Sequence, residues 1–418
     1  MKSINSLQAA MLLVMLGLFT SLFTQTASAS SVTVGTCSPG GVHFVKIQQA
    51  IDAVGPGFII KICPGTYPEQ LSINEQLTLQ GIASGNQDGV VITSPSTGLV
   101  QNTTSLATGN AIAAHVWVNG ASGVNMTNLI VDSAGNNINS CAPDLIGILY
   151  QNSSGTLNRV VTRNQWVGAS ESDTNFNGCQ TGLGIFAQSG SGGTSVLTVI
   201  NSSVHDYQKN GITGNETGTT LNVTNSQVVG QGPTNGAAEN GIQVGFGARG
   251  TVSGNSVIDD IWAPDTSSDP GDAAAGILLF DALSGGVGVK SNNVGNTQFG
   301  IALVTDTAGL DDAETVSGNK VFATRIFDAI DVCSNNNTIQ TNAVTNSSES
   351  AIHLDSSCGS TGNNNNVTGN TITDANVGLL KDSGVTGNTV IPNTYFTSIK
   401  TDPPGNVRTR LPYRPARP

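Results

Sequence analysis

From Gly147 onward the chain repeats one hydrophobic figure: a small residue, an aliphatic, then alternating polar and apolar positions. It appears as Gly147-Ile148, Gly184-Ile185, Gly211-Ile212, Gly241-Ile242, Gly276-Ile277, Gly300-Ile301, Ala329-Ile330, Ala351-Ile352 and Gly378-Leu379. The aliphatics span 231 residues in eight intervals, a mean of about 29. After each comes a short β-prone run carrying an asparagine: Asn158, Asn201, Asn225, Asn255, Asn292, Asn319, Asn342, Asn370 and Asn388, with an earlier copy at Asn128. The two elements alternate strictly.

Strands of four to six residues with a period of two, separated by polar turns, exclude helical repeats. If each coil returns to the same side, equivalent strands stack in parallel roughly 4.8 Å apart. Their aliphatics then fill one continuous interior, as in a solenoid. A propeller blade would need a longer period, about 40–45 residues. The recurrent asparagine fits a turn, where its amide can bond the amides above and below as a ladder. That role also accounts for the many N-x-[ST] matches without glycosylation. Phe44, Ile47, Ala50, Ile51 and Val54 lie at helical spacing, and Gly55-Pro56-Gly57 ends the run. The spacing predicts a helix over 44–54 that covers the first coil of an all-β solenoid of about ten coils.

The ends divide the chain further. Lys2, an apolar run from Ala9 to Phe23, and Ala27-Ser28-Ala29 form an export signal over 1–29. The cap and first turns occupy 30–66, the solenoid 67–391, and an irregular Pro-rich tail with Arg408, Arg410, Arg414 and Arg417 occupies 392–418. No later stretch is long enough to span a membrane. All six cysteines follow the signal, which in an exported chain reads as three disulfides. The repeat places Cys141 and Cys179 in successive loops, Cys333 and Cys358 one coil apart, and Cys37 and Cys63 at the cap.

Without the signal the chain has 15 bases against 28 acids, a net of −13. This balance argues against nucleic acid and against unaided binding of polyanions. Charged residues are only 11% of the chain, yet 38% are apolar and periodic, so the chain is ordered.

Phe44 to Val54, then Pro64-Gly65-Thr66-Tyr67-Pro68-Glu69 and Leu77-Thr78-Leu79-Gln80-Gly81, resemble the opening segment of pectin-lyase-like β-helix proteins. The later Gly-Ile and x-Gly-Asn-x-Val units resemble the repeats of that superfamily. The resemblance implies a single-stranded right-handed parallel β-helix and a polysaccharide or cell-surface glycan as partner. The catalytic Gln and Asp motifs of the methylesterases are absent, as is a cluster of paired aspartates with Gly-His-Gly. The epimerase Asp-Pro-His-Asp is echoed only by His205-Asp206.

Candidate chemistry follows from loop lengths. The span from asparagine to the next aliphatic is 9–11 residues in several C-terminal coils. It reaches 17–27 in the N-terminal half, with a short exception between Asn201 and Ile212. The reading is a cleft whose floor carries His205, Asp206, Tyr207 and Lys209. Its walls carry Arg163, Trp166, Glu171, Asp173, Asp259, Asp260 and Trp262, and a Cys141–Cys179 bridge stiffens one of them. A lyase would take its base from Lys209, Tyr207 or His205 and neutralise a uronate with Arg163 or bound Ca²⁺. Trp166 and Trp262 suit stacking on sugar faces, with Asp259 and Asp260 beside them. A second group, Asp331, His353 and Asp355, faces outward on adjacent strands and reads as a surface contact without a cleft to exclude water. Acidic loops 259–272 (Asp259, Asp260, Asp265, Asp269, Asp272) and 306–314 (Asp306, Asp311, Asp312, Glu314) read as solvated loops rather than calcium sites. No motif requires a cofactor. The expectation is an exported monomer, secreted or periplasmic, that binds carbohydrate without a standard pectinolytic site. The alternative is a polysaccharide lyase or hydrolase working in the N-terminal cleft.

Overall fold

The nine aliphatics of the repeat form one column. Ile148 pairs with Ile185, then Ile212, Ile242, Ile277, Ile301, Ile330, Ile352 and Leu379, each in parallel register with the next. This is a right-handed parallel β-helix, seen in a computed structural model that describes residues 30–83, 89–170, 173–234, 236–262 and 273–397. The expected export signal, Glu171, Asp265, Asp269, Asp272 and the tail arginines lie outside the described residues.

Each coil contributes to three faces. The first carries the Gly-Ile strands, such as Asn210–Asn215 and Asn240–Gly245. The second runs through twelve described strands, from Ser31–Val34 to Asn366–Thr368. The third includes Ser203–His205, Gln227–Thr234 and Ser256–Trp262. The stack exceeds the ten coils expected because the opening coils, with strands Phe58–Ile62 and Leu77–Gly81, carry no Gly-Ile pair. It also runs past residue 391, since Thr394–Phe396 pairs with Thr371–Thr373. First-face strands are buried on both sides. Outside the solenoid, Leu149 and Phe186 pack with Ile112, Ala114, Ile146 and Leu183, and Leu278 and Ala302 pack with Phe280, Phe299 and Phe327.

The glycine of the repeat has a steric cause. A Cβ on Gly211 would lie 2.5 Å from Val228 Cγ1 and 2.6 Å from the carbonyl oxygen of Gly241 in the next coil. Both are far inside van der Waals contact, so a side chain has no room. Where Gly147 has its neighbour in the preceding coil, His115 stands instead, between the paired residues Ala114 and Val116. Its ring is fully buried, with Nε2 3.0 Å from Glu69 O and Nδ1 3.1 Å from Ser133 Oγ. Burial pushes the imidazole down to about 4 against weaker support from backbone carbonyls.

Hydrogen bonding ties the turns together. Asn255, Asn292, Asn319, Asn342 and Asn370 each donate their side-chain and backbone N–H to the Oδ1 of the next member, at 2.9–3.0 Å, ending on Asn393. The first four also donate to carbonyls of Val223, Val252, Val289 and Val316, and Asn370 donates to Ile339. Five of the expected asparagines do not belong to it. Asn128, Asn201 and Asn225 sit one position earlier at φ of 50–54°, a left-handed conformation that asparagine tolerates. Asn158 precedes the left-handed Arg159. Ser202 and Ser226 take the inward place in those coils, and the backbone N–H of Ser226 donates to Asn255 Oδ1. Asn388 closes a second ladder: Glu314 N donates to Asn337 Oδ1, Asn337 N to Asn365 Oδ1, and Asn365 N to Asn388 Oδ1, at 2.6–2.8 Å.

The cap is helix α1, Ile47–Ala53, shorter than 44–54 because Phe44 belongs to strand His43–Phe44. Its first turn has no capping side chain of its own. The Glu69 carboxylate takes that role, accepting from Ile47 N at 2.8 Å and Gln48 N at 3.0 Å. Ile47, Ala50 and Ile51 close the end of the core. The disulfides pair as the repeat implies: Cys37–Cys63, Cys141–Cys179 and Cys333–Cys358.

Replacing Asn342 with Ala removes one rung and leaves buried donors and acceptors unmet on both neighbours. Urea unfolding should show a loss on the order of 3 kcal/mol. Asp144, at the start of strand Asp144–Gln151, gives a pH signature. Burial pushes its carboxyl up from 3.8 to about 7. A raised carboxyl stabilises the fold fully below pH 3.8, and that contribution drains away as pH rises through about 7. Across this window the melting temperature of the native protein should fall relative to Asp144→Asn; parallel curves would contradict the assignment.

Candidate functional site

The expected cleft floor is not a surface turn. After Ser203–His205, Asp206 takes a left-handed φ of 55° and turns the chain, and Tyr207 bridges in parallel to Gln165 of the preceding coil. Tyr207 therefore points into the core, fully buried, and its hydroxyl donates to Asp260 Oδ1 at 2.5 Å. Burial first, and the neighbouring Asp260 and Glu239 carboxylates next, hold the phenol well above its usual range. Asp260 is fully buried too, and burial holds its carboxyl far above the normal value. Lys209 is also buried and donates Nζ to Ala238 O at 2.7 Å. These three residues do not line a solvent cleft: the left-handed turn at Asp206 carries Tyr207 inward, and Asp260 meets it in the core.

The remaining candidates lie near one corner but are engaged separately. Arg163 Nε meets Asp132 Oδ2 at 2.8 Å. His205 Nδ1 lies 2.5 Å from Asp206 Oδ2, the imidazole about 32% exposed. Asp259 accepts from Asn296 Nδ2. Trp166 and Trp262 are half-buried; Trp166 O accepts from Asn136 Nδ2 at 2.9 Å and Trp262 N donates to Gln298 Oε1 at 2.9 Å. Asp173 accepts from Asn175 N at 3.1 Å, capping a short helical turn.

An open groove of about 550 Å³ lies beside this region, between the second and third faces. Its polar lining includes Arg159, Asn201, Ser203, Asn225, Gln227 and Ser256. Successive coils thus present amides and hydroxyls in register, with one guanidinium at the edge. The sequence carried the signal in Asn201-Ser202-Ser203, Asn225-Ser226-Gln227 and Gly254-Asn255-Ser256. The repeat groups these asparagines with the interior ladder, whereas Asn201 and Asn225 are exposed.

The second site is the C-terminal group on the outer side of the first face. Asp331 and His353 are register partners, as alternation predicts. They are buried, however, with His353 2% exposed and Asp331 3%, so the expected surface contact is an interior one. Sequence reasoning missed Asp328, just before a repeat unit, and Asp382, just after the last first-face strand. Asp328 Oδ2 lies 3.0 Å from His353 Nδ1, and Asp382 Oδ1 lies 3.2 Å from Nε2. Asp331 Oδ1 is 3.6 Å from Nδ1. Burial opposes the charged imidazole, but the Asp328 carboxylate and the bonds to Asp328 and Asp382 outweigh it and raise His353 well above its usual value. Asp382 is held below the carboxylate range: burial works against this, and the bond and charge of His353 overcome it. Such a set of one imidazole and several carboxylates can hold an ion pair network or a cation.

The family model for a periplasmic copper-binding protein (NosD) matches residues 198–403. Among solved structures, the A-module of mannuronan C-5 epimerase AlgE4 from Azotobacter vinelandii aligns with a TM-score of 0.51 at 12% identity. It covers 88% of this chain and 94% of that one. The GH136 lacto-N-biosidase from Eubacterium ramulus aligns with a TM-score of 0.50 at 11% identity, covering 91% of this chain and 68% of that one. No curated protein sequence matches. Among the described residues no helix is long and apolar enough to cross a membrane.

Tyr207→Phe tests the placement of the expected base. It strips Asp260 of the hydroxyl on Oδ1, and equilibrium unfolding should report a loss of about 1–3 kcal/mol. A variant as stable as the native protein would contradict the buried pair.

Proposed function

As a right-handed parallel β-helix of the pectin-lyase-like superfamily, related in fold to carbohydrate-active enzymes, this protein, we propose, is exported to bind a carbohydrate. The observation that carries the reading is the groove of Arg159, Asn201, Ser203, Asn225, Gln227 and Ser256. Amides and hydroxyls at a regular coil spacing match the hydroxyl groups of a polymer whose sugars also recur regularly. The acidic chain repels polyanions at long range, so the ligand is a neutral glycan. Three disulfides suit a periplasmic or extracellular setting. The mannuronan C-5 epimerase module and the lacto-N-biosidase, which share the fold at low identity, are both named for carbohydrates.

A lyase or hydrolase reading would rest on His205 with Asp206, since Tyr207 and Lys209 are buried. A second reading starts from the copper-binding family whose model matches residues 198–403. All six cysteines are consumed in disulfides, whereas His353 and its aspartates offer nitrogen and oxygen.

Affinity electrophoresis through neutral glycans, pectate and alginate tests the proposal. A neutral glycan should retard the protein with little dependence on salt. Arg159→Ala and Asn225→Ala should each weaken retention by about five-fold, the worth of one hydrogen bond. Ultraviolet-absorbing unsaturated products, lost in His205→Ala, would replace the binder with a lyase. New reducing ends, lost in the same variant, would replace it with a hydrolase.

A further inference from the structure

Glycan binding at the groove leaves the outer side of the second face unused. Its strands repeat one figure, an apolar residue turned into the core between two residues turned out, as in Thr156-Leu157-Asn158, Asn222-Val223-Thr224 and Thr315-Val316-Ser317. Consecutive coils stack this figure without a shift of register. One outward row runs from Thr78 to Asn366 through Thr156, Thr198, Thr251 and Thr315. A second row lies two residues farther along each strand, from Gln80 to Thr368. Nine of these twenty positions are threonine, none is aromatic, and Lys290 is the one charge. The threonine hydroxyls of the first row have no hydrogen-bond partner among the described residues, so they are open to solvent. The third face differs, with Arg163, His205, Lys320 and Phe322 standing on it.

The register makes the two rows a rigid net. Strands recur roughly every 4.8 Å across the coils, and outward side chains about every 6.6 Å along a strand. Oxygens on a prism face of hexagonal ice recur on a rectangular net of similar dimensions. Threonine suits such a surface on two counts. Its hydroxyl donates and accepts as a lattice water does, and its β-branch holds methyl and hydroxyl stiffly, so little freedom is lost on contact. A charged side chain would keep a hydration shell that does not fit the crystal. The rows meet that condition except at one coil, where Lys290 lies over Gly288, its Cε 3.0 Å from the place of a Cβ there. An uncharged face in a chain of net charge −12 matches an uncharged partner. Sugar rings stack on aromatic side chains, and the rows have none. We propose that the outer side of the second face binds ice, with the threonine rows as the contact and Lys290 as the one interruption. The face shares no residue with the glycan groove.

The test is the growth of ice crystals held just below the melting point with purified protein, together with partition of fluorescently labelled protein into slowly advancing ice. The native protein should suppress crystal coarsening and enter the ice. Thr251→Tyr and Thr315→Tyr, each raising a ring above the rows, should need about ten-fold more protein for the same suppression. Lys320→Tyr, on the third face, should act as the native protein does. Lys290→Thr joins the rows across their one break and should act at lower concentration. Exclusion of the native protein from ice overturns the proposal. So does full activity in both threonine variants, an equal loss in Lys320→Tyr, or no gain in Lys290→Thr. Sedimentation with crystalline chitin or cellulose, lost in Thr251→Tyr without any effect on ice, would assign the face to a glycan crystal instead. Should Thr251→Tyr fail to fold, Thr315→Tyr and Lys290→Thr decide the matter. Retention on soluble glycans, measured on the same variants, reports the groove separately, so either reading can fail alone.

Discussion

Neighbouring coils of this solenoid approach one another so closely at one corner that the backbone has no space for a side chain. At Gly211 and several of its equivalents, the space is already filled by a valine from a later strand and by the carbonyl of the next coil. That contact sets the register of the first face, and the register sets everything else. It aligns Ile148 through Leu379 as one column and fixes which side chains alternate inward. It also brings residues far apart in the chain, such as Asp331 and His353, side by side. A one-residue slip would place aliphatics outside and polar groups in the core.

The same constraint explains why the interior tolerates polar groups only in particular places. Each buried amide of the ladder meets another amide and a carbonyl, so its desolvation is offset. His115 fills a corner that glycine vacates in later coils, with a partner on each ring nitrogen. Tyr207 donates its hydroxyl to Asp260 Oδ1 inside the core. The group at His353 differs in kind. It concentrates several carboxylates around one imidazole, a demand that packing of a β-helix does not make.

Much of the architecture was legible because the fold repeats a local rule. Small residue plus aliphatic, the capping helix and the three cysteine pairs could all be read from spacing. What was not legible depended on single-residue phase. Asn201 and Asn225 differ from Asn255 by one position, yet that step moves the side chain from the buried ladder to an exposed groove. Tyr207 follows a left-handed Asp206, so counting along the chain placed it on the surface while the backbone turned it inward. Asp328 and Asp382 escaped notice because they join His353 only across coils, through a corner whose course loop length alone does not fix.

The asparagine ladder has a direction. Every amide donates toward the coil that comes later in the chain, from Asn255 to Asn393. Each amide also donates backward to a carbonyl of an earlier coil, so a rung is tied to its predecessor by one N–H and reaches its successor with the other side-chain N–H and its backbone N–H. The ladder therefore has a polarity: among the described residues it runs from Asn255 to Asn393, whose own amide turns back to Val367 O and Val390 O, while α1 closes the core at the opposite end.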